Sequence, residues 1–390
     1  MSWDSIVGHG LQIRILRTAV SAGRLAHAYL FSGPEGTGKE TVAFELAKLL
    51  NCRQVVNAGF SEACGRCESC RMIDDFMHPN VEYVFPVESV LLEQSDPSKA
   101  ENKRIAEARD RYEALIEKKK RNPYFTPAMD RSMGILTDQV AALQQKASFM
   151  PSEGGKKIFI ISQPEKLLAA AANKLLKLLE EPPEHVLFVL VTSRPESVLP
   201  TIRSRCQALK FSRVRPADME RWLSSAKAEL SEEARRFIVN FSRGNLGTAV
   251  ELAATAGESG DDAFEGLAIR NRAVEFLRTV LSPGRLDEAV SETENIAKNL
   301  GRQEIVSLLG ALLLFFQDIN HRKIDPSWRA LNNPDLVEPV DRFVRNFGDP
   351  DFLALSIATE ETIRAIQRNG NPLLTLGAFT IRLKRLLRRV

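Results

Sequence analysis

No apolar run in the 390 residues approaches the roughly 18 that a membrane-spanning helix needs. A helical membrane anchor is therefore excluded within this stretch. The first ten residues, MSWDSIVGHG, lack the basic-then-apolar order of an export signal, so a cytoplasmic location is the expectation. Charge of one sign is not in excess either: 53 Lys and Arg against 50 Asp and Glu leave +3, too little to argue for a nucleic-acid or membrane partner without local patches. Cysteine is scarce. Four of the five lie between Cys52 and Cys70, which is not the scatter of a disulfide framework in a chain this long. What remains, 44% apolar and 26% charged, is the composition of an ordinary globular protein with length for two or three domains and a sizeable core.

The chain is organised around Leu30 to Glu40, LFSGPEGTGKE, an apolar run that ends in a glycine-rich loop. Gly33, Gly36 and Gly38 let the backbone close around phosphate oxygens, which the loop amides and the following helix N-terminus bind. Lys39 adds a point charge for the outer phosphates. A working loop continues with Ser or Thr, whose hydroxyl ligates the magnesium that travels with the nucleotide. Here the residue is Glu40. A carboxylate beside polyphosphate repels it, so the loop announces a nucleotide fold and argues against nucleotide chemistry. Gly33, Gly36, Thr37, Gly38 and Lys39 are the nucleotide-binding candidates; ATP or ADP in the loop stays open, magnesium is disfavoured, and the plain alternative is a structural relic.

Taken in order, Ile6 to Ala22 reads as a helix with Ile6, Leu11, Ile15, Leu16 and Val20 at helical spacings, and Ala26 to Phe31 as a short strand. After Lys39, Val42, Leu46, Leu49 and Leu50 share one helical face, which completes strand, loop and helix. Cys52 and then Cys64, Cys67 and Cys70 in ACGRCESC suffice for a closed tetrahedral zinc site, structural and not catalytic. His78 is a poorer ligand than Cys52, being followed at once by Pro79. Zinc would contribute on the order of 10 to 16 kcal/mol to ordering such a segment. From Glu88 the composition turns strongly charged, and Ala100 to Arg121 carries Ile105, Ala108, Tyr112, Leu115 and Ile116 as one apolar stripe. The closing run Lys118, Lys119, Lys120, Arg121 reads as a solvated face, with contact to a phosphate backbone as the alternative.

A second helix and strand follow, Leu136 to Phe149 and Ile158 to Ile161. In phosphate-loop NTPases the end of this strand carries the acidic pair that holds magnesium and polarises water. Here it carries Ser162 and Gln163, and neither is a base. A helix from Leu167 to Glu181 and a strand from Val186 to Thr192 lead into SRPESVLPTIRSRC.

The combination of GPEGTGK, the cysteine cluster, NKLLKLLEEPPEH and TIRSRC resembles the bacterial sliding-clamp loaders, subunits of DNA polymerase III of the AAA+ class. The resemblance covers Ile6 to Phe211 and is weak over the C-terminal third. It implies that Arg205, the arginine of SRC, is a finger inserted into the ATP site of a neighbouring subunit; an intramolecular salt bridge is the plainer reading. Cys206 reads as a buried packing residue. Thr192 stands at the family's nucleotide-sensing position on the strand, and Gly247, in GNLGTA, stands where hydrolysing relatives carry a sensing arginine.

These departures run in one direction and imply a non-hydrolysing subunit. The expectation is an AAA+ type α/β phosphate-loop domain over 1–211, with a four-cysteine zinc module at 52–70 and a charged helical insertion at about 88–125. A helical lid at 212–256 and a helical collar at 257–390 follow, with Gly257 to Asp262 as a linker. The implied partners are motor subunits like gamma and tau, a delta-like subunit, the sliding clamp, and primed DNA reached through the assembly. Ile305 to Phe316 reads as a core helix, and Ile381, Leu383, Leu386 and Leu387 as an interface or core stripe in a basic tail. Two rivals are an active ATPase of gamma/tau type and a zinc-containing DNA-binding protein working alone, the latter supported only by the basic stretches near Lys118 and Arg385.

Overall fold

The structure, a computed structural model, describes residues 3, 6–58, 62–92, 103–129, 131–151, 154–256, 265–282, 286–347 and 350–387. They fall into two compact units, Met1–Met219 with Gly244–Val250, and Glu220–Arg243 with Glu251–Val390. The first holds a five-stranded parallel sheet of β1 Ala28–Ser32, β2 Val81–Val84, β3 Lys157–Ser162, β4 Val186–Thr192 and β5 Gln207–Lys210, ordered β2-β3-β4-β1-β5. Strands β1, β3 and β4 are buried along their whole length, so their sequences are unbroken apolar runs. The edge strands β2 and β5 are short and partly exposed. They carry neither a run nor an alternation, and sequence patterning does not mark them.

Helices cover both faces of the sheet: α1 Gly10–Ser21, α2 Lys39–Asn51, α3 Arg53–Ala58, α4 Glu68–Asp74, α6 Thr137–Ala147, α7 Ala169–Glu180 and α8 Pro200–Arg203, while α5 Lys103–Arg121 packs on the segment that follows β2. One face packs Leu16, Val42, Leu46 and Leu49 on Phe31, Ile158 and Val189. The other packs Val140, Leu143, Leu175 and Ile202 on Leu30, Phe159 and Phe188. The first helix differs from its sequence reading: Leu11 and Ile15 are exposed, while Ile13 and Leu16 face the core. The chain enters the helix only at Gly10, so Ile6 packs from the preceding turn and the spacing counted from it does not set the buried face.

Pairing sets Ser32 opposite Thr192 and Ser162 opposite Val191, so β1, β3 and β4 end at one level. Open parallel sheets take their ligands outside these carboxyl ends. That is where the loop after β1 meets Ser162 and Thr192.

The helices α9 Pro216–Ala226 and α11 Leu246–Ala256 each belong partly to the first unit and partly to the second. The second unit holds α10 Glu232–Ser242, α12 Glu265–Leu281, α13 Leu286–Asn299, α14 Arg302–Ile324, α15 Val337–Asn346, α16 Phe352–Gln367 and α17 Pro372–Leu386. Its core centres on α14, where Leu308, Leu309, Leu312 and Phe316 are buried. Of the tail stripe, Leu383 and Leu387 join this core and Leu386 packs at its margin, whereas Ile381 is exposed. The Gly257 to Asp262 linker lies outside the described residues. No described helix is long and apolar enough to cross a membrane.

Candidate functional site

The loop has the backbone that its glycines predict, with positive φ at Gly33, Gly36 and Gly38. Packing bears on two of them independently of any ligand, through backbone at Gly33 and through a side chain at Gly36. A Cβ at Gly33 would lie 2.1 Å from the Phe211 carbonyl oxygen, and one at Gly36 would lie 1.8 Å from Asn245 Oδ1. Thr37 is fully buried and its hydroxyl donates to the Pro34 carbonyl at 2.9 Å, while His9 Nε2 donates to the Thr37 carbonyl at 2.7 Å. Lys39 Nζ donates to the Pro34 carbonyl. Burial pulls the Lys39 pKa down to about 8, against the opposite pull of Glu40, Glu35 and Glu165.

Glu40 is not a free carboxylate at the mouth of the loop. It is 5% exposed, and its Oε2 accepts from Lys119 Nζ and, at 2.9 Å, from the Tyr83 hydroxyl. Oε1 accepts from the Ser162 hydroxyl at 2.5 Å. Lys119 also donates to the carbonyls of Pro123 and Phe125 at 2.8 and 2.6 Å, and is 2% exposed. Burial lowers the Lys119 pKa and raises that of Tyr83. Two expectations are corrected by this cluster. Glu40 meets a buried ammonium where the sequence predicts repulsion of phosphate, and the basic run at 118–121 is not wholly a solvated face.

The signal for Lys119 was present: it continues the apolar stripe, three residues after Ile116 and four after Leu115. Both of those pack with Tyr112 against Phe85, Val87 and Met129. Helical spacing thus turns Lys119 inward while its basic neighbours hide it in a charge run.

A cavity of about 260 Å3 opens beside the loop, lined among others by Gly36 to Glu40, Ser162, Gln163, Glu165, Thr192, Arg194 and Tyr124. The Thr192 hydroxyl donates to Glu165 Oε2 at 2.7 Å and accepts from the Arg194 amide at 2.9 Å. Tyr124 comes from the insertion, with its ring edge 3.2 Å from where a Cβ at Gly38 would be. Gly247 is held close: a Cβ there would lie 3.2 Å from the Tyr124 carbonyl oxygen, and its own carbonyl accepts from Asn122 Nδ2 at 2.9 Å. Sequence reasoning missed Tyr83, Tyr124, His9 and Asn245, because each reaches the loop from a distant segment.

The sulfurs of Cys52, Cys64, Cys67 and Cys70 all lie within 4.8 Å of one another, and Cys52 and Cys67 are 3.9 Å apart. A tetrahedral thiolate set at about 2.3 Å from zinc puts its sulfurs about 3.8 Å apart. These four residues could hold a metal ion such as zinc. The amide of Cys64 donates to Cys52 Sγ and that of Cys67 to Cys64 Sγ, each at 3.3 Å, which favours thiolate over thiol. Burial raises the Cys64 pKa, but the amides of Arg66 and Cys67 bring it down to about 6. His78 stands aside, bonded to Ser69 and the Asn80 amide.

Arg205 follows α8 and is partly exposed. Its Nη2 pairs with Glu180 Oε1 at 2.6 Å and its Nη1 donates to the Thr201 carbonyl at 3.0 Å. Cys206 packs against the sheet core and burial raises its pKa to about 11.

The family described as DNA polymerase III, delta subunit, matches residues 8–215. The chain belongs to that family. Among its relatives, DNA polymerase III subunit delta' of Bacillus subtilis is 32% identical over 255 residues, 65% of this chain and 61% of the relative. Subunit tau of the same organism is 26% identical over 349 residues, 87% of this chain and 54% of the relative. Subunit tau of Escherichia coli is 29% identical over 273 residues, 69% of this chain and 35% of the relative. The chain thus spans less than two thirds of each. Among solved structures, a gamma subunit-related protein of Thermotoga maritima matches at a TM-score of 0.46 and 16% identity, over 97% of this chain and 100% of that one. The family is that of the clamp-loader subunits of DNA polymerase III, and both subunit types occur among the relatives.

Proposed function

We propose that this chain is the non-hydrolysing, delta'-type subunit of a bacterial clamp loader, which helps motor subunits place a sliding clamp on primed DNA in the cytoplasm. The observation that carries the reading is the Glu40 cluster. Hydrolysis needs a hydroxyl and a carboxylate free to hold magnesium and orient water, and here Ser162 and Glu40 are bonded to each other while Lys119 neutralises the carboxylate. In this proposal 1–211 is an AAA+ type domain, 212–256 a lid and 257–390 a collar that packs against gamma/tau-like and delta-like neighbours. Zinc on Cys52, Cys64, Cys67 and Cys70 is structural. Gly33, Gly36, Thr37, Gly38, Lys39 and Thr192 form a nucleotide cradle without turnover.

Arg205 supplies the link to ATP. A partly exposed ion pair such as Arg205 with Glu180 contributes about 0 to 1 kcal/mol, so the guanidinium is readily exchanged onto the developing charge in a neighbouring site. In the assembly reconstituted with motor and delta-like subunits, Arg205→Ala slows that one site by about 10³-fold or more. The readout is loss of one site's share of DNA-stimulated ATP turnover; unchanged turnover removes the trans role. ATP turnover by the isolated chain that Lys39→Ala abolishes would favour the gamma/tau-type motor instead.

A further inference from the structure

Helix α17 is apolar on two faces. One, with Leu376, Phe379, Leu383 and Leu387, is buried in the core of its unit. The other sets Leu374, Ala378 and Ile381 at spacings of four and three residues, which is one side of a helix. Here Leu374 and Ile381 are 73% and 70% exposed. A helix apolar around most of its girth is ordinarily a buried one. With Leu373, and with Val290 of α13, these residues border a groove of about 790 Å3. Scattered exposed apolar residues are ordinary, whereas a contiguous groove of them marks a contact.

The chemistry of the groove narrows its occupant. Thr293 donates to the Ala289 carbonyl at 2.7 Å and therefore accepts from Thr380 at 2.9 Å, so both hydroxyls are spent within this chain. The walls are helices, whose backbone groups bond internally. An occupant must then satisfy its own backbone, as a helix does and an extended peptide does not. Glycine inside a helix is unfavourable relative to alanine, yet this chain's packing does not require Gly377, since a Cβ there would meet no atom within 4 Å. Its missing side chain leaves room for a second helix at close approach.

Charge decides between a second copy and a different protein. Lys384 and Arg385 close the groove in the last turn of α17, and among the described residues neither is paired. The carboxylate at the groove, Glu294, is taken by Lys298 at 2.9 Å, so the uncompensated charge is positive. A parallel copy of α17 would set these cations against themselves. An antiparallel copy crossing at Gly377 would set them against the turn Arg368 to Asn371, which carries no carboxylate. We propose that the groove seats an amphipathic helix of a neighbouring clamp-loader subunit. Its apolar anchors, at i, i+3 or i+4 and i+7, pack across Gly377, and carboxylates at their edge meet Lys384 and Arg385. The inference deepens the collar reading and rests on assembly with other subunits, but on neither the glycine loop nor Arg205.

The test is analytical ultracentrifugation of the full chain, alone and with the gamma/tau-like or the delta-like subunit. One of the two is expected to bind, with a Kd that rises at least about tenfold in Gly377→Leu and in the charge reversal Lys384→Glu with Arg385→Glu. Gly377→Leu fills the groove and keeps or raises the Tm of the isolated chain, leucine being the better helix former, so lost binding is not lost folding. Added salt weakens the unaltered complex and has little effect on the charge-reversed one. Binding indifferent to both substitutions overturns the groove proposal and leaves the assembly reading standing. Self-association that Gly377→Leu abolishes assigns a second copy and likewise overturns it. An unaltered chain that binds neither subunit overturns both readings. Should Gly377→Leu not fold, the charge reversal decides alone.

Discussion

Replacing Lys119 by Met removes a buried cation from a buried carboxylate, and the cost follows from what each partner retains. Breaking a buried pair costs about 3 to 5 kcal/mol, because it leaves an uncompensated charge. Glu40 keeps the hydroxyls of Tyr83 and Ser162, which places the expectation near the lower end, at about 3 kcal/mol. That is a large share of the roughly 5 to 15 kcal/mol available to a domain. For a unit of this size it lowers Tm by about 6 to 12 °C. Glu40→Gln with Lys119→Met removes both charges and recovers most of the loss, as neutral replacement of buried pairs does. The assay is urea unfolding followed by Trp3 fluorescence. Trp3 is buried in the sheet-bearing unit, whereas Trp222 and Trp328 lie in the other and are first changed to Phe. A loss below about 1 kcal/mol, or a double variant no more stable than the single one, refutes the reasoning.

Cys67→Ser removes one of four converging sulfurs and is expected to abolish a stoichiometry of about one zinc per chain in atomic absorption; folded, unaltered protein without zinc refutes the metal assignment. For Lys39, the folded pKa of about 8 lies below the roughly 10.4 of a free lysine. Between the two the unfolded chain binds more protons, so stability rises with pH from about 8 to about 10.4. Nucleotide affinity in the proposed cradle runs the other way, weakening as Lys39 loses its proton above about pH 8. Calorimetric titrations with ADP between about pH 7 and 9.5 should show this step, and Lys39→Arg, which holds its proton throughout, should remove it.

The parts of the fold legible in the sequence are those whose burial is continuous. Strands β3 and β4 and helices α2 and α7 bury apolar residues at an unbroken or helical period, and the glycine loop announces its own backbone. Edge strands β2 and β5 have partly exposed side chains and rest on pairing with a neighbour, which no local pattern records. The four cysteines were legible as a candidate metal set because their short spacings along the chain foretell sulfurs that converge in space. Lys119 was hidden for the opposite reason. Its partner Glu40 lies 79 positions away, and a lysine in a basic run is ordinarily hydrated.

That long-range pair also explains how Glu40, Ser162 and Lys119 fit together. Glu40 alone would place an uncompensated carboxylate against the phosphate cradle, and Ser162 alone would leave a metal ligand missing. An inward Lys119 alone would be an unpaired buried charge, costing several kcal/mol. Together they form one neutral, hydrogen-bonded cluster, with Tyr83 supplying the second donor to Oε2. Restoring a single residue, such as Glu40→Thr to return the loop's hydroxyl, therefore strands Lys119 and is expected to destabilise the unit without giving hydrolysis. In the proposed non-hydrolysing subunit, a return to hydrolysis demands concurrent change on α2, on α5 and at the end of β3.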